Sequence, residues 1–199
     1  NPYSTIVFSG THDIILNSPL NLTAAGTLID SLGQLVTVRL STTPTTDGNV
    51  FKISAEDVIL RGLAIHGSSL GYANIWVTGA STKNVLLESN RIGVDLNGNC
   101  ASPVSSDGIY VDATGTPGPG EHLVTINQNL INCIVLGDGI EIYGADGVLV
   151  QENESSGNLL AGLRIEGANQ TRVFGNRIGT DNAGNALPNG TGIVVGNAV

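Results

Sequence analysis

Asp107 and Asp138 each stand directly before Gly-Ile, 31 positions apart. Carboxylates recurring at matching points of a chain are candidates for acid–base work, provided their surroundings drive their pKa values apart. A second group joins them. Trp76, Tyr110 and Tyr143 fall in or beside short apolar segments that also carry Asp112, Glu141, Glu166 and Arg164. They include the only Trp and two of the four Tyr. Flat aromatics beside carboxylates suit sugars, whose rings present apolar faces for stacking and hydroxyls for hydrogen bonding. Each group also has a plainer reading. Asp-Gly is an ordinary turn before a strand, and this is the reading favoured for Asp107 and Asp138. Exposed strands favour aromatics in any case, and Glu141 with Arg164 reads equally well as a cross-strand ion pair.

What must position these residues is a repeat. A short apolar–outward–apolar strand recurs at Phe51-Lys52-Ile53, Ile75-Trp76-Val77, Ile109-Tyr110-Val111, Ile140-Glu141-Ile142, Leu163-Arg164-Ile165 and Ile193-Val194-Val195. The intervals between first residues are 24, 34, 31, 23 and 30, a bare coil with insertions in some turns. A second strand follows with inward pairs Val58/Leu60, Val85/Leu87, Val124/Ile126, Val148/Val150 and Thr171/Val173. Five residues beyond the first member of each pair stand Leu63, Asn90, Asn129, Asn153 and Asn176, and two further on Ile65, Ile92, Ile131, Ser155 and Ile178. Period-2 alternation over such short runs marks strands, and no 3.6-residue period appears. A coil of 23 or 24 residues has room for about three strands and their turns at ~3.3 Å per residue. No coil can bury its apolar side alone, so stability must arise between stacked neighbours.

The expected architecture is therefore all-β, a parallel β-helix of roughly seven to eight coils with inserted loops. It spans 1–199 as a single domain. The right-handed bias of parallel crossovers predicts a right-handed coil. Stacking gives two adjacent outward columns: Lys52, Trp76, Tyr110, Glu141, Arg164, Val194 and Ser54, Thr78, Asp112, Tyr143, Glu166, Gly196. Asn90, Asn129, Asn153 and Asn176 form a third, a structural ladder in which each amide bonds to the next coil at a tight bend. That position argues against glycosylation of the sequon at Asn153, while Asn21, Asn169 and Asn189 head sequons expected to be exposed.

Two motifs repeat almost residue for residue: Asn90-Arg91-Ile92-Gly93-Val94-Asp95 and Asn176-Arg177-Ile178-Gly179-Thr180-Asp181, followed by Gly98-Asn99 and Gly184-Asn185 and then by Gly-Ile opening the next coil. On these motifs and its opening strands the chain resembles the pectate-lyase-like right-handed β-helix superfamily. It looks closest to repeat-bearing bacterial cell-surface β-helix proteins. The resemblance covers nearly the whole chain and implies the fold; that superfamily hosts lyases, hydrolases, epimerases, adhesins and structural proteins alike. The polygalacturonase family places catalytic aspartates in an Asn-Thr-Asp then Asp-Asp pattern. The matching tripeptides here, Ser105-Ser106-Asp107 and Leu136-Gly137-Asp138, lack one of the three, and no Gly-His-Gly or Arg-Ile-Lys follows.

Composition narrows the partners. Net charge is −9, with 8 Lys+Arg against 17 Asp+Glu, which repels phosphate backbones and argues against nucleic acid. No apolar run approaches the ~18–20 residues of a membrane helix. His12, His66 and His122 are scattered, and no metal-ligand spacing appears. Asp95, Asn97 and Asn99 place oxygen atoms at alternate positions, faintly like a calcium loop, but the Gly and distal Glu of such a loop are missing and a turn is the stronger reading. Cys100 and Cys133 could tie an inserted loop to the next coil in an oxidising compartment, or remain buried thiols. The chain contains no Met and begins at Asn1, and reads as the mature part or a segment of a longer exported protein.

The functional expectation is an extracellular or cell-surface structural or adhesive module, a stalk or a self-assembling subunit, with carbohydrate contact as an accessory role. Its partners would be itself or an adjacent chain through the solenoid ends, including Ile193 to Val199. The alternatives are a polysaccharide lyase or hydrolase acting on an acidic or neutral polysaccharide, and a carbohydrate-binding module without turnover.

Overall fold

The computed structural model describes residues 4–41, 47–100 and 106–196. Ser105 of the first tripeptide and Asn197, Ala198 and Val199 of the closing run lie outside the described residues. The chain folds into twenty-one strands, β1 to β21 in order, with no helix among the described residues. Every third strand joins the same parallel sheet, so three seven-stranded sheets wrap one core in seven coils.

The first sheet holds β1 (Ser4–Val7), β4 (Thr27–Asp30), β7 (Val58–Arg61), β10 (Val85–Glu88), β13 (Val124–Asn127), β16 (Leu149–Gln151) and β19 (Arg172–Phe174). The second holds β2 (His12–Leu16), β5 (Val36–Leu40), β8 (Ala64–His66), β11 (Arg91–Ile92), β14 (Leu130–Asn132), β17 (Glu154–Ser156) and β20 (Arg177–Ile178). The third holds β3 (Leu20–Leu22), β6 (Phe51–Ile53), β9 (Ala73–Val77), β12 (Asp107–Val111), β15 (Ile140–Tyr143), β18 (Ala161–Glu166) and β21 (Thr191–Val195).

The register follows the inward residues. Phe51, Ile75, Ile109, Ile140, Leu163 and Ile193 lie opposite one another along the third sheet. Leu60, Leu87, Ile126, Val150 and Val173 do so along the first, and Ile65, Ile92, Ile131, Ser155 and Ile178 along the second. A one-residue slip in any coil would turn its apolar residues to water, so burial pins each strand. Columns of Ile, Leu and Val are almost wholly buried through the middle coils, with Phe51 as the one aromatic among the largest fully buried side chains of the described residues. In the end coils the equivalent positions are open: Val173, Ile193 and Val195 are 38%, 49% and 72% exposed.

Two devices hold the turns. Asn90 Nδ2 donates to Asn129 Oδ1 at 3.1 Å, Asn129 to Asn153 at 3.0 Å and Asn153 to Asn176 at 2.9 Å. Each also donates to a backbone carbonyl of the preceding coil, at Leu60, Leu87, Ile126 and Val150. The residue just before each column position, Gly62, Ser89, Gln128, Glu152 and Gly175, has a positive φ between 54° and 72°. Second, Cys100 and Cys133 are joined in a disulfide across 33 residues, a closure that stabilises by about 2–4 kcal/mol. It fastens the loop after β11 to the end of β14.

A further amide stack has no counterpart in the repeat pattern. Asn158 Nδ2 donates to Asn189 Oδ1 at 3.1 Å, and Asn189 Nδ2 donates to the Ser155 carbonyl at 2.9 Å. The Asn189 side chain is thus committed to the fold, unlike the exposed sequon asparagines Asn21 and Asn169. Asn153 is buried.

Candidate functional site

The outer face of the third sheet carries the site. Strand pairing places Lys52, Trp76, Tyr110, Glu141, Arg164 and Val194 in one column, each directly opposite the next. Tyr143 lies opposite Glu166 in the neighbouring column. Asp112 and Gly196 continue it, their amides bonded to Val77 and Ile165 of the preceding coil. Neighbouring coils are ~4.8 Å apart, so the aromatics form a strip along the helix axis.

Within the strip, Trp76 Nε1 donates to Asp112 Oδ1 at 2.8 Å, which fixes the indole. The Lys52 ammonium lies 4.1 Å from the centre of the same ring, a cation–π contact. Tyr143 is the most open of the three at 52% exposure, while Trp76 and Tyr110 are half-buried.

Asp107 and Asp138 belong to this same face. Asp107 opens β12 inside the strand rather than sitting in a turn, and Asp138 stands two residues ahead of β15. The intervening glycines are needed for close approach, not for a positive φ. A Cβ on Gly108 would lie 2.4 Å from the Gly139 carbonyl oxygen, and one on Gly139 2.2 Å from Ser155 Oγ. Asp107 Oδ1 accepts the Asp138 amide at 2.9 Å. Carboxylate oxygens of Asp107, Asp138 and Glu141 all lie within 4.8 Å of one another.

Arg164 does not pair with Glu141. Its Nε donates to Asp138 Oδ2 at 2.6 Å and its Nη1 to Glu166 Oε1 at 3.0 Å. Asp138 is 3% exposed and also accepts the Ala161 amide. Glu141, half-buried, has neither a hydrogen bond nor an ion pair among the described residues. Burial, with Asp107 and Asp138 nearby, pushes its carboxyl up to about 7. Burial raises Asp107 to about 6, the Asp138 amide partly offsetting it. Tyr110 is raised to about 12, by burial first and then by Asp112 and Glu141. Arg164 is held firmly charged by Asp138.

Chemically, this is a strip of aromatic rings beside two carboxyl groups poised to hold or release a proton near neutral pH. Three oxygens so close could also share one cation, but those of Asp138 are already used by Arg164 and the Ala161 amide.

Asp95, Asn97 and Asn99 build a different structure. Asp95 Oδ1 accepts the amides of Asn97 and Asn99 at 2.8 and 2.9 Å, and Oδ2 accepts Asn99 Nδ2. These bonds hold the Asp95 carboxyl below its usual range. Asp181 repeats the arrangement with Ala183 and Asn185. In both loops the carboxylate closes its own turn.

The repeat pattern placed the two outward columns correctly opposite one another. It did not show that Asp107 and Asp138 reach Glu141, because a residue three positions ahead of an outward residue has no defined direction without the backbone at Gly108 and Gly139. The chain matches no protein-family model, no curated protein and no solved structure.

Proposed function

We propose that the chain is a rigid structural or adhesive β-helix module of the cell exterior whose third-sheet face contacts carbohydrate. The observation that carries this reading is the strip formed by Trp76, Tyr110 and Tyr143 with Asp112, Glu141 and Glu166 on consecutive coils. Aromatic rings anchored by the sheet offer stacking faces at little entropic cost, and the carboxylates beside them accept hydrogen bonds from sugar hydroxyls. The disulfide suits an oxidising exterior, and the repeated motifs support kinship with repeat-bearing surface proteins of the pectate-lyase-like superfamily. Because coils of a solenoid are stabilised by their stacked neighbours, contact of this module with a further coil, from a second copy or an adjacent chain, is in keeping with the fold.

Affinity electrophoresis through gels containing neutral, acidic and amino polysaccharides tests the carbohydrate reading. Retardation that disappears in Trp76→Ala and Tyr143→Ala is the expected result; free migration through every gel sinks it. Light scattering across a concentration series tests self-association, which a monomer at every concentration would rule out.

A second reading, turnover of the bound polysaccharide, is favoured by the closeness of Asp107, Asp138 and Glu141 and by the raised carboxyl groups of Asp107 and Glu141. One carboxyl held protonated beside another that is ionised is the pairing glycoside hydrolysis uses. Release of new reducing or unsaturated ends, lost in Glu141→Gln, would establish it; binding without product release would leave a non-catalytic module.

A further inference from the structure

The charge balance of the third-sheet face restricts what sugar polymer it can hold. Five carboxylates, Asp107, Asp112, Asp138, Glu141 and Glu166, share it with two cations, Lys52 and Arg164. Neither cation is free. Lys52 covers Trp76, and Arg164 is held between Asp138 and Glu166. Glu141 lies in the middle of the strip without a partner, directly opposite Tyr110 on one side and Arg164 on the other. Asp107 faces it with one oxygen engaged by a backbone amide.

A polyuronate would bring one more carboxylate per ring against this surface. In the reduced dielectric of a half-buried strip, like charges at contact distance are strongly unfavourable. A neutral glycan would leave Glu141 and Asp107 partly desolvated with no compensating charge. A ring carrying an ammonium group would supply that charge, and its apolar face would still meet the aromatics.

We propose that this face binds a cationic glycan built of 2-amino-2-deoxyhexose units, the ammonium groups meeting Glu141 and Asp107 and the rings meeting Tyr110 and the more open Tyr143. The proposal rests on the carbohydrate-contact reading above and names its ligand class.

Isothermal titration calorimetry with three oligosaccharides tests it: a β-1,4-glucosamine hexamer, the same hexamer N-acetylated, and a galacturonate hexamer. The first two differ chiefly in charge on one backbone. The glucosamine oligomer is expected to bind about tenfold or more tighter than its acetylated form, and to weaken as salt screens the pair. Glu141→Gln and Tyr143→Ala should each weaken it several-fold. Glu56→Gln, which removes a carboxylate paired with Lys83 away from the strip, should not.

Equal or tighter binding of the acetylated or galacturonate oligomer, lost in Tyr143→Ala, would overturn the charge class and leave the carbohydrate reading standing. Glucosamine binding weakened equally by Glu56→Gln and Glu141→Gln would reduce the effect to the net charge of −9 and overturn the proposal. No binding of any oligomer would remove both.

Discussion

The asparagine stack and the carboxylate group are both made by placing polar side chains at matching points of successive coils, and they end in opposite states. At Asn90, Asn129, Asn153 and Asn176 every amide finds a donor and an acceptor, because a carboxamide carries both and can repeat itself indefinitely. Asp107, Asp138 and Glu141 carry only acceptors when ionised. Stacked, they satisfy Asp138 through Arg164 and leave Glu141 unpaired. A parallel β-helix thus absorbs a self-complementary side chain into its scaffold and leaves a like-charged set as stored electrostatic strain on its surface. The first is where stability lies, and the second is where a ligand has something to gain.

The comparison can be broken at several points. The largest effect is expected from Asn129→Ala, in the middle of the stack. It strands the Asn90 amide and the Leu87 carbonyl in the interior, and should cost about 3–5 kcal/mol in urea unfolding. A cost below that of an exposed substitution would show that the stack is ornamental.

Asp138→Asn comes next. It weakens the Arg164 pair at a site 3% exposed but relieves repulsion on Asp107 and Glu141. A net loss of about 1–3 kcal/mol is expected. The Glu141 carboxyl should also titrate lower, which NMR of its side-chain carbon reads; an unchanged titration would mean that burial and Asp107 set it without Asp138.

Glu141→Gln has a smaller effect whose sign depends on pH. The folded carboxyl is raised from 4.5 to about 7, so its protonated form favours folding. The native protein keeps this contribution below about pH 4.5 and loses it as pH rises through about 7. The melting temperature of the variant should therefore match the native protein near pH 4 and exceed it at pH 8. Parallel curves across that range would refute the unpaired state of Glu141.

Smallest is Ser89→Gly, at the corner before Asn90. Ser89 has φ +54°, where Gly pays no steric penalty, so about 0.5–1 kcal/mol of stabilisation is expected in the same urea assay. Destabilisation would show that the serine side chain contributes more than the corner strain.

Much of this molecule was legible in its residues. The alternation of Ile75-Trp76-Val77 and its repeats sets which side chains face the core, since burying the apolar set leaves one register per coil. That alone puts Trp76, Tyr110, Glu141 and Arg164 in one outward column and the four asparagines in another. The repeat also anticipates a stack of roughly seven to eight coils, of which the described residues form seven, because each inward triplet is buried only by its neighbours.

Only the folded backbone decided the rest. Asp107 and Asp138 lie ahead of the alternating segments, where two glycines let the stacked chains approach too closely for a Cβ, and their direction depends on that approach. The partner of Arg164 is settled by reach, to Asp138 rather than the adjacent Glu141. The Asn158–Asn189 stack escapes the periodic pattern because both members lie in the connections ahead of β18 and β21, outside the alternating segments. Periodicity governs what lies within strands; contacts made between turns and across insertions depend on distances that close only when the coils are stacked.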